Sequence, residues 1–243
     1  MAFAKCLADL RSLTLLKSLI NNEEHFQIIL DNCSANDDEI LAKLAKVVEK
    51  KENDFFNTKK IKYVEQIPNH SAIKKVLDFG GANGAIASAM TERYGFDVVV
   101  CDTNIHEQKS TSKVKFIKTA AGEKLPFKDG EFDLISCFMV LHHIQDVDQI
   151  IEELYRCSSK WLLIQEHNNN EHVEPVIDVL HLMYSFVYKT EDYETLKKAA
   201  DYKAWYMTKN QLEFKMANKF KKIIEVDTNP VTNNYFAIYE KIM

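Results

Sequence analysis

The sequence predicts an α/β fold: a doubly wound, mostly parallel sheet with an N-terminal helical cap, a helical insertion after the fifth strand and a C-terminal antiparallel hairpin. Three observations predict it. Apolar runs alternate with helical patterns from Ile73 onward, which is typical of parallel βαβ units with right-handed crossovers. A glycine-rich turn follows the first of these apolar runs. Two further apolar runs, 220–226 and 234–242, suit the two strands of a hairpin.

Residues 1–70 form the predicted cap, ahead of a main domain at 71–243. Apolar residues recur every three or four positions at the start of the cap, which gives one apolar helix face. These positions are Phe3, Leu7, Leu10, Leu13, Leu16 and Ile20. Two compatible interpretations stay open: the helices cover the sheet edge or form a dimer contact, or they close as a lid over a bound ligand.

The first half of the main domain is predicted to carry four strands. The first three lie at 75–79, 96–101 and 115–118, and the helix after the first strand ends near Gly95. The fourth strand opens at Phe132. This order of elements gives the parallel part of the sheet.

The second half begins with a helix at about 146–159 and a fifth strand at 161–164, which ends on the polar residues 165–167. Residues 168–207 are longer than a simple connection and are predicted to be an inserted substrate element. Its aromatic residues are more typical of packing onto the domain than of stacking on a ligand, although both interpretations stay open. A final helix begins after Thr208.

Composition and charge are those of an ordinary globular chain of 243 residues, long enough for one α/β domain with additions. The net charge of −5 gives no overall basic field that would attract nucleic acid or a membrane. Five scattered cysteines without a C-x-x-C pair are typical of reduced thiols. The sequence reveals no targeting or spanning segment, so we expect a cytoplasmic protein that does not associate with membranes.

The glycine-rich turn reads Asp78-x-Gly80-x-Ala82-x-Gly84 and joins an apolar strand to a helix of small residues. Glycine permits positive φ and a close backbone approach to a ligand. The free N–H groups of the following helix favour a polar or anionic group. A second acid, Asp102, follows Gly80 by 22 positions (102 − 80), close to the offset of about 20 at which an acid meets ribose hydroxyls in such sheets. The turn therefore predicts a nucleotide-type site.

This pattern resembles that of the class I, Rossmann-like S-adenosylmethionine-dependent methyltransferases, whose usual turn reads Asp-x-Gly-x-Gly-x-Gly. Ala82 is the one departure, and alanine still leaves room for a close approach. The resemblance implies a seven-stranded sheet, S-adenosylmethionine as cofactor and S-adenosylhomocysteine as product. It assigns the methionine end of the cofactor to Asp78 and the turn, and the ribose to Asp102. The predicted cofactor contacts from these segments are Asp78, Gly80, Gly81, Asn83, Gly84, Asp102 and Thr103.

A second block, 121–137, is similar to the Asp-Ala-Glu-x-Leu-Pro-Phe…Phe-Asp-Leu block of the same family. Ala121 stands where the family often has an acid for the adenine amino group. The resemblance therefore implies adenine contacts from Gly122 and Glu123. Phe138, at the end of the fourth strand, is a further predicted cofactor contact.

Four residues that follow strands four and five are the candidates for catalysis. An imidazole can take a proton from a hydroxyl or amine near neutral pH. His142 and His143 could have this role, or one of them could cap a helix or pack under the cofactor. Glu166 and His167 could orient an acceptor and act as base, or form an ordinary polar strand end. Glu166, His167 and His181 lack the tight spacing of a metal site, so no metal is predicted.

The leading hypothesis is a methyltransferase that acts on a hydroxyl or amine of a small molecule. RNA, at a cap or a base, is the alternative acceptor, because lysines of the groups 109–118 and 215–222 could contact phosphates. A third hypothesis is a non-catalytic scaffold of the same fold, which binds the cofactor or a partner. Binding of the cofactor separates the enzyme from a scaffold that has lost its pocket.

Overall fold

The structure is a computed structural model that describes residues 60–103, 114–120, 122–168, 205–229 and 234–242. The predicted cap, apart from its last residues, lies outside the described residues. So do most of the predicted insertion, Ala121 and His181. The interpretations that depend on them stay predictions.

Seven strands form one sheet in the order β3-β2-β1-β4-β5-β7-β6. The strands are β1 Lys75–Phe79, β2 Asp97–Asp102, β3 Lys115–Lys118, β4 Phe132–Phe138, β5 Ser158–His167, β6 Phe220–Asn229 and β7 Asn234–Lys241. The strands from β1 to β5 pair in parallel, and β7 pairs antiparallel with both β5 and β6. The predicted fold class, including the terminal hairpin, is confirmed.

Within the described ranges, three α-helices lie between these strands: α1 Ala85–Tyr94, α2 Val147–Cys157 and α3 Lys209–Met216. Helix α2 begins where the Asp146 side chain accepts a hydrogen bond from Gln149 N, which is a standard N-cap contact. Helix α3 begins with a reciprocal capping box between Thr208 and Gln211. Short 3-10 turns lie at Tyr63–Gln66, His70–Ala72 and Leu141–His143.

The core lies on both faces of the sheet. Helix α2 covers one face with a stripe of buried residues at helical spacing, namely Val147, Ile150, Ile151, Leu154 and Cys157. The opposite face packs against α1 and the segment around Val64 and Ile67. Cys101, Cys137 and Cys157 are buried free thiols. Among the helices of the described segments, none is long and apolar enough to cross a membrane.

Candidate active site

The candidate site lies where β1 and β4 end side by side at the centre of the sheet. Strand β1 leads to β2 on one side, whereas β4 and β5 continue on the other. Ligands of open α/β sheets bind at the carboxyl ends of the strands at such a switch point. The turn after β1 and the loop after β4 are therefore the segments that matter.

Gly80 opens the turn in a conformation that a larger residue would resist. Its φ is +70°, and its N–H donates to the Cys101 carbonyl at 2.7 Å. A Cβ added to Gly80 would lie 2.4 Å from Cγ2 of Val140. The turn after β1 and the loop after β4 are thus in direct contact at this glycine.

Gly81 is needed for a different reason, because it makes room for the carboxylate of Asp78. A Cβ at Gly81 would lie 2.4 Å from Asp78 Oδ2. Asp78 is buried, and its Oδ1 accepts a hydrogen bond from Ser136 Oγ at 2.8 Å. Its Oδ2 has no hydrogen-bond partner within the described part of the chain. A buried carboxylate oxygen in this state is suited to a donor supplied by a ligand.

Burial is the main cause that raises the pKa of Asp78 to about 6, while the hydrogen bond from Ser136 and the positive charge of Lys60 act in the opposite direction. At neutral pH the side chain is therefore a buried anion held at a cost. A bound cation would relieve that cost.

Ala82, the one departure from the family turn, adopts a left-handed conformation with φ +46°. Such a conformation costs a non-glycine residue roughly 1–2 kcal/mol. Its N–H donates to Asp102 Oδ2 at 2.9 Å, and this bond helps to hold the turn. Asp102, at the end of β2, thus lies against the turn. A carboxylate has about four acceptor sites, so this bond leaves capacity for a ligand hydroxyl.

The other residues predicted to contact the cofactor lie in the turn itself or at and after the ends of neighbouring strands. Asn83 Oδ1 accepts a hydrogen bond from Ala85 N at the start of α1. Thr103 is exposed directly after β2, and Phe138 is buried at the end of β4. Gly122 and Glu123 are exposed in the loop after β3.

That loop is fixed by Arg156 of α2, whose guanidinium donates to the carbonyls of Leu125 at 3.0 Å and Phe127 at 2.6 Å. Arg156 also pairs with Glu153 at 2.7 Å, and Glu153 accepts the N–H of Leu125 at 2.8 Å. Residues 125–127 are therefore anchored to α2, and this anchor restricts the position of Gly122, three residues earlier in the same loop.

We expect Arg156→Leu to lower the free energy of unfolding by about 1–3 kcal/mol, because two carbonyls and the carboxylates of Glu153 and Asp129 lose their donor. Arg93→Ala is the control, since the Arg93–Glu65 ion pair is solvent-exposed and such pairs contribute roughly 0–1 kcal/mol. Urea denaturation of both variants measures the difference. Equal costs would contradict this account of the loop.

Glu166, near the end of β5, is buried and accepts three hydrogen bonds. Its Oε1 accepts the N–H groups of Val140 and Leu141, each at 2.7 Å, and its Oε2 lies 2.7 Å from His142 Nδ1. Met139, which precedes Val140 in the loop after β4, has φ +60°. A non-glycine residue holds this conformation only when its surroundings impose it. Glu166 therefore fixes both the loop after β4 and the ring of His142.

Three histidines and one tyrosine gather above these strand ends. The His142 ring centroid lies 4.1 Å from that of His143, 5.0 Å from that of His167 and 5.7 Å from that of Tyr206. His167 Nδ1 lies 2.6 Å from Asn234 Oδ1. The structure thus brings all four predicted catalytic residues into one cluster. It adds Tyr206, from the aromatic-rich part of the predicted insertion, and Asn234, which no sequence pattern indicated.

The pKa values of Glu166 and His167, the two buried ionisable residues at the end of β5, are shifted in ways that suit different tasks. Burial opposes ionisation of Glu166, but the charge of His142 and the hydrogen bond between them outweigh it and lower the pKa to about 2. Burial and the charge of His142 lower the pKa of His167 to about 4. At neutral pH Glu166 is therefore a carboxylate and His167 a neutral imidazole.

Lys60 is a site residue that sequence reasoning missed. It is 6% exposed, its Nζ lies 5.5 Å from the ring centroid of Phe138, and its charge acts on both Asp78 and His167. A buried lysine between the two halves of the site is a candidate ligand for an anionic group. Its sequence neighbourhood, a run of charged residues, carries no signal that would mark it.

A glycine-rich turn at the switch point, an acid at the end of β2 and a buried acid in β1 define the class of doubly wound proteins that bind a nucleoside-containing cofactor. The chain belongs to the Methyltransferase domain family, whose model matches residues 40–214. The resemblance drawn from the sequence is confirmed.

Similar proteins include two curated methyltransferases and one solved structure. The ubiquinone biosynthesis O-methyltransferase of Pseudomonas aeruginosa is 24% identical over 174 residues, which cover 67% of this chain and 72% of that protein. The uncharacterized methyltransferase YcgJ of Bacillus subtilis is 26% identical over 167 residues, 63% of each chain. A SAM-dependent methyltransferase of Methanosarcina mazei shares the fold, with a TM-score of 0.54, 19% identity and coverage of 74% of this chain and 97% of that one.

Proposed function

We propose that this methyltransferase uses S-adenosylmethionine and transfers its methyl group to a hydroxyl of a small molecule, with an amine as the alternative acceptor. The observation that carries the proposal is the buried Asp78 carboxylate, whose Oδ2 has no donor within the described residues and lies beside the glycine turn. The O-methyltransferase name of the similar Pseudomonas aeruginosa protein favours a hydroxyl acceptor.

The residues around the turn fit the two ends of this cofactor. Asp78 would accept from the ammonium of the methionine end, and Lys60 has the charge to meet its carboxylate. Asp102 would accept from ribose hydroxyls, while Gly122 and Glu123 would lie along the adenine. When bound, the cofactor supplies a methyl group on a sulfonium, which is electrophilic without any help from the protein.

The chain must therefore orient the acceptor and remove its proton. His142 is the group suited to take the proton, because its Nδ1 lies 2.7 Å from a buried carboxylate that would stabilise an imidazolium. Glu166 itself is too weak a base for this task, since its pKa is about 2. We assign it to holding His142 and the loop after β4. His143 and His167 line the same cluster, where they can contact the acceptor.

We expect Asp102→Ala to weaken the affinity for S-adenosylhomocysteine roughly 10- to 100-fold, because hydrogen bonds to a charged group contribute about 1.5–3 kcal/mol. Asp102→Asn is the matched control for the turn, since its amide oxygen can still accept from Ala82 N, and we expect it to show a smaller loss. Calorimetric titration of both variants measures the effect. Unchanged affinity in Asp102→Ala would remove this residue from the ribose site.

The proposed activity is tested by transfer of a tritiated methyl group from S-adenosylmethionine to separated metabolite, RNA and protein extracts. We expect label in the metabolite fraction. The labelled methyl group should be released from the product only under conditions that cleave methyl ethers or methylamines. Label confined to RNA would replace the small-molecule acceptor with the alternative one. No labelled fraction, despite tight cofactor binding, would favour the scaffold hypothesis.

A further inference from the structure

Asn234 is the first residue of β7 and pairs directly with His167, the last residue of β5, in the antiparallel register. Its side-chain oxygen Oδ1 lies 2.6 Å from His167 Nδ1. An amide oxygen can only accept a hydrogen bond, so the ring nitrogen that faces it must carry the proton. In a neutral imidazole the other nitrogen, Nε2, is then an acceptor.

We propose that Asn234 is a positioning residue, which holds His167 as the neutral tautomer protonated at Nδ1, so that His167 Nε2 accepts a hydrogen bond from the hydroxyl or amine of the methyl acceptor. This inference rests on the proposed function. It gives His167 a role in orienting the acceptor that is separate from the removal of its proton by His142.

The two neighbouring imidazoles differ because their Nδ1 atoms face different partners. His142 faces the carboxylate of Glu166 at 2.7 Å, and this contact holds its ring by a charge-assisted hydrogen bond. His167 faces an uncharged amide, which fixes the tautomer without supplying a negative charge. A histidine that must hold a hydroxyl, and not take its proton, is best kept neutral.

Burial and two nearby positive groups favour the neutral form of His167. The positive groups His142 and Lys60 disfavour its protonation, Glu166 favours it, and burial disfavours it most of all. The phenol ring of Tyr206 packs against it edge to face, with centroids 6.0 Å apart. Burial and the two positive groups outweigh Glu166 and the hydrogen bond to Asn234, both of which raise the pKa of His167, so the ring is neutral at neutral pH and Asn234 determines only its tautomer.

The position of this pair follows from strand register alone. The next register pair along β5 and β7 is Glu166 with Tyr235, so the Asn234 and Glu166 contacts belong to adjacent rungs of one ladder. A shift of β7 by one residue would turn Asn234 to the other face of the sheet. The hairpin thus supports the site from the side opposite to β4.

The test is the protonation state of His167 in the full-length ¹⁵N-labelled protein, measured by long-range ¹⁵N–¹H correlation spectra across a pH titration. A His167→Gln variant assigns the signals. We expect the Nδ1-protonated tautomer in the unmodified protein and a mixture of tautomers in Asn234→Ala. In Asn234→Asp the new carboxylate should raise the pH at which His167 protonates by at least about one unit, a tenfold change in proton affinity. Asn218→Ala, an exposed position in the turn after α3, is the control.

An Nε2-protonated His167 in the unmodified protein would overturn the inference. So would a titration that Asn234→Asp leaves unchanged while the variant keeps the chemical shifts of the folded protein. Titration with S-adenosylhomocysteine separates this inference from the proposed function. The dissociation constant of S-adenosylhomocysteine for each Asn234 variant should lie within about twofold of that for the unmodified protein. This difference is well under the tenfold change that corresponds to about 1.4 kcal/mol. If the unmodified protein does not bind S-adenosylhomocysteine, the proposed function is contradicted. The ¹⁵N spectra report the tautomer of His167 whether or not the cofactor binds.

Discussion

Replacing Asp78 with asparagine is expected to stabilise the unliganded protein at about pH 7.5 while it weakens the affinity for S-adenosylmethionine at least about tenfold. The carboxylate is buried and one of its oxygens has no partner within the described segments. Its pKa, raised from 3.8 to about 6 mainly by burial, corresponds to roughly 3 kcal/mol at most. Asparagine keeps the acceptor for Ser136 and removes the charge.

The sign of the effect follows from linkage. Because the pKa is higher in the folded protein than in the unfolded chain, ionisation of Asp78 opposes folding. The contribution of Asp78 to the free energy of unfolding is most favourable below about pH 4, and it is lost as the pH rises through about 6. The stabilisation by Asp78→Asn should therefore be largest above pH 6 and vanish near pH 4.

Thermal melts at a series of pH values measure this prediction. A gain of about 1–3 kcal/mol corresponds to a rise in the melting temperature of several degrees for a protein of this size. Asp97→Asn makes the same chemical change at an exposed position at the start of β2. It should alter neither the melting temperature nor the affinity for S-adenosylmethionine. An Asp78→Asn protein that binds the cofactor as tightly as the unmodified one would remove Asp78 from the methionine site.

Replacing Glu166 with glutamine is expected to reduce turnover at least about 100-fold and to change cofactor affinity less than about threefold. General-base catalysis contributes roughly 10²–10⁴-fold, and the Glu166 carboxylate holds the ring of His142 and its tautomer. Glutamine has nearly the same shape, so its oxygen can still accept from Val140 and Leu141. Its amide group, placed against His142 Nδ1, would instead enforce the opposite tautomer.

Single-turnover rates with the acceptor fraction labelled in the transfer assay, together with calorimetry, measure the two effects separately. His167→Ala should behave in the same direction, with a larger change in the Michaelis constant if His167 orients the acceptor. Glu240→Gln, whose carboxylate forms only a half-exposed 3.7 Å ion pair with Lys160, is the control. Turnover like that of the unmodified protein in Glu166→Gln would exclude the His142–Glu166 pair from the mechanism.

Local sequence signals were sufficient to predict the sheet and the position of the glycine-rich turn. Strand β3 lies where the apolar run predicted it, and the glycine turn joins β1 to α1 as expected. Such features depend on residues near one another in the chain, so spacing and residue type reveal them. The fifth strand extends further than predicted, over Ser158–His167, because burial of the polar residues Gln165 to His167 leaves no mark on hydrophobic periodicity.

The partners of the catalytic candidates could not be predicted in the same way. The bond between Glu166 and His142 joins residues 24 positions apart and depends on the register of β4 against β5, which contains an irregularity near Phe132. Asn234 is 67 positions from His167, and it reaches that residue only through the pairing of β7 with β5. Lys60 precedes the first strand and has no local motif. Contacts of this kind are set by tertiary structure.

The central claim is that the bend between β1 and α1 holds an activated methyl donor. Calorimetric titration of the unmodified protein with the demethylated product tests it most directly, because it needs no knowledge of the acceptor. We predict one site per chain with a dissociation constant in the micromolar range, near −8 kcal/mol, and weaker binding at pH 5, where Asp78 is largely protonated. No heat at protein concentrations well above that range, at neutral pH, would contradict the account.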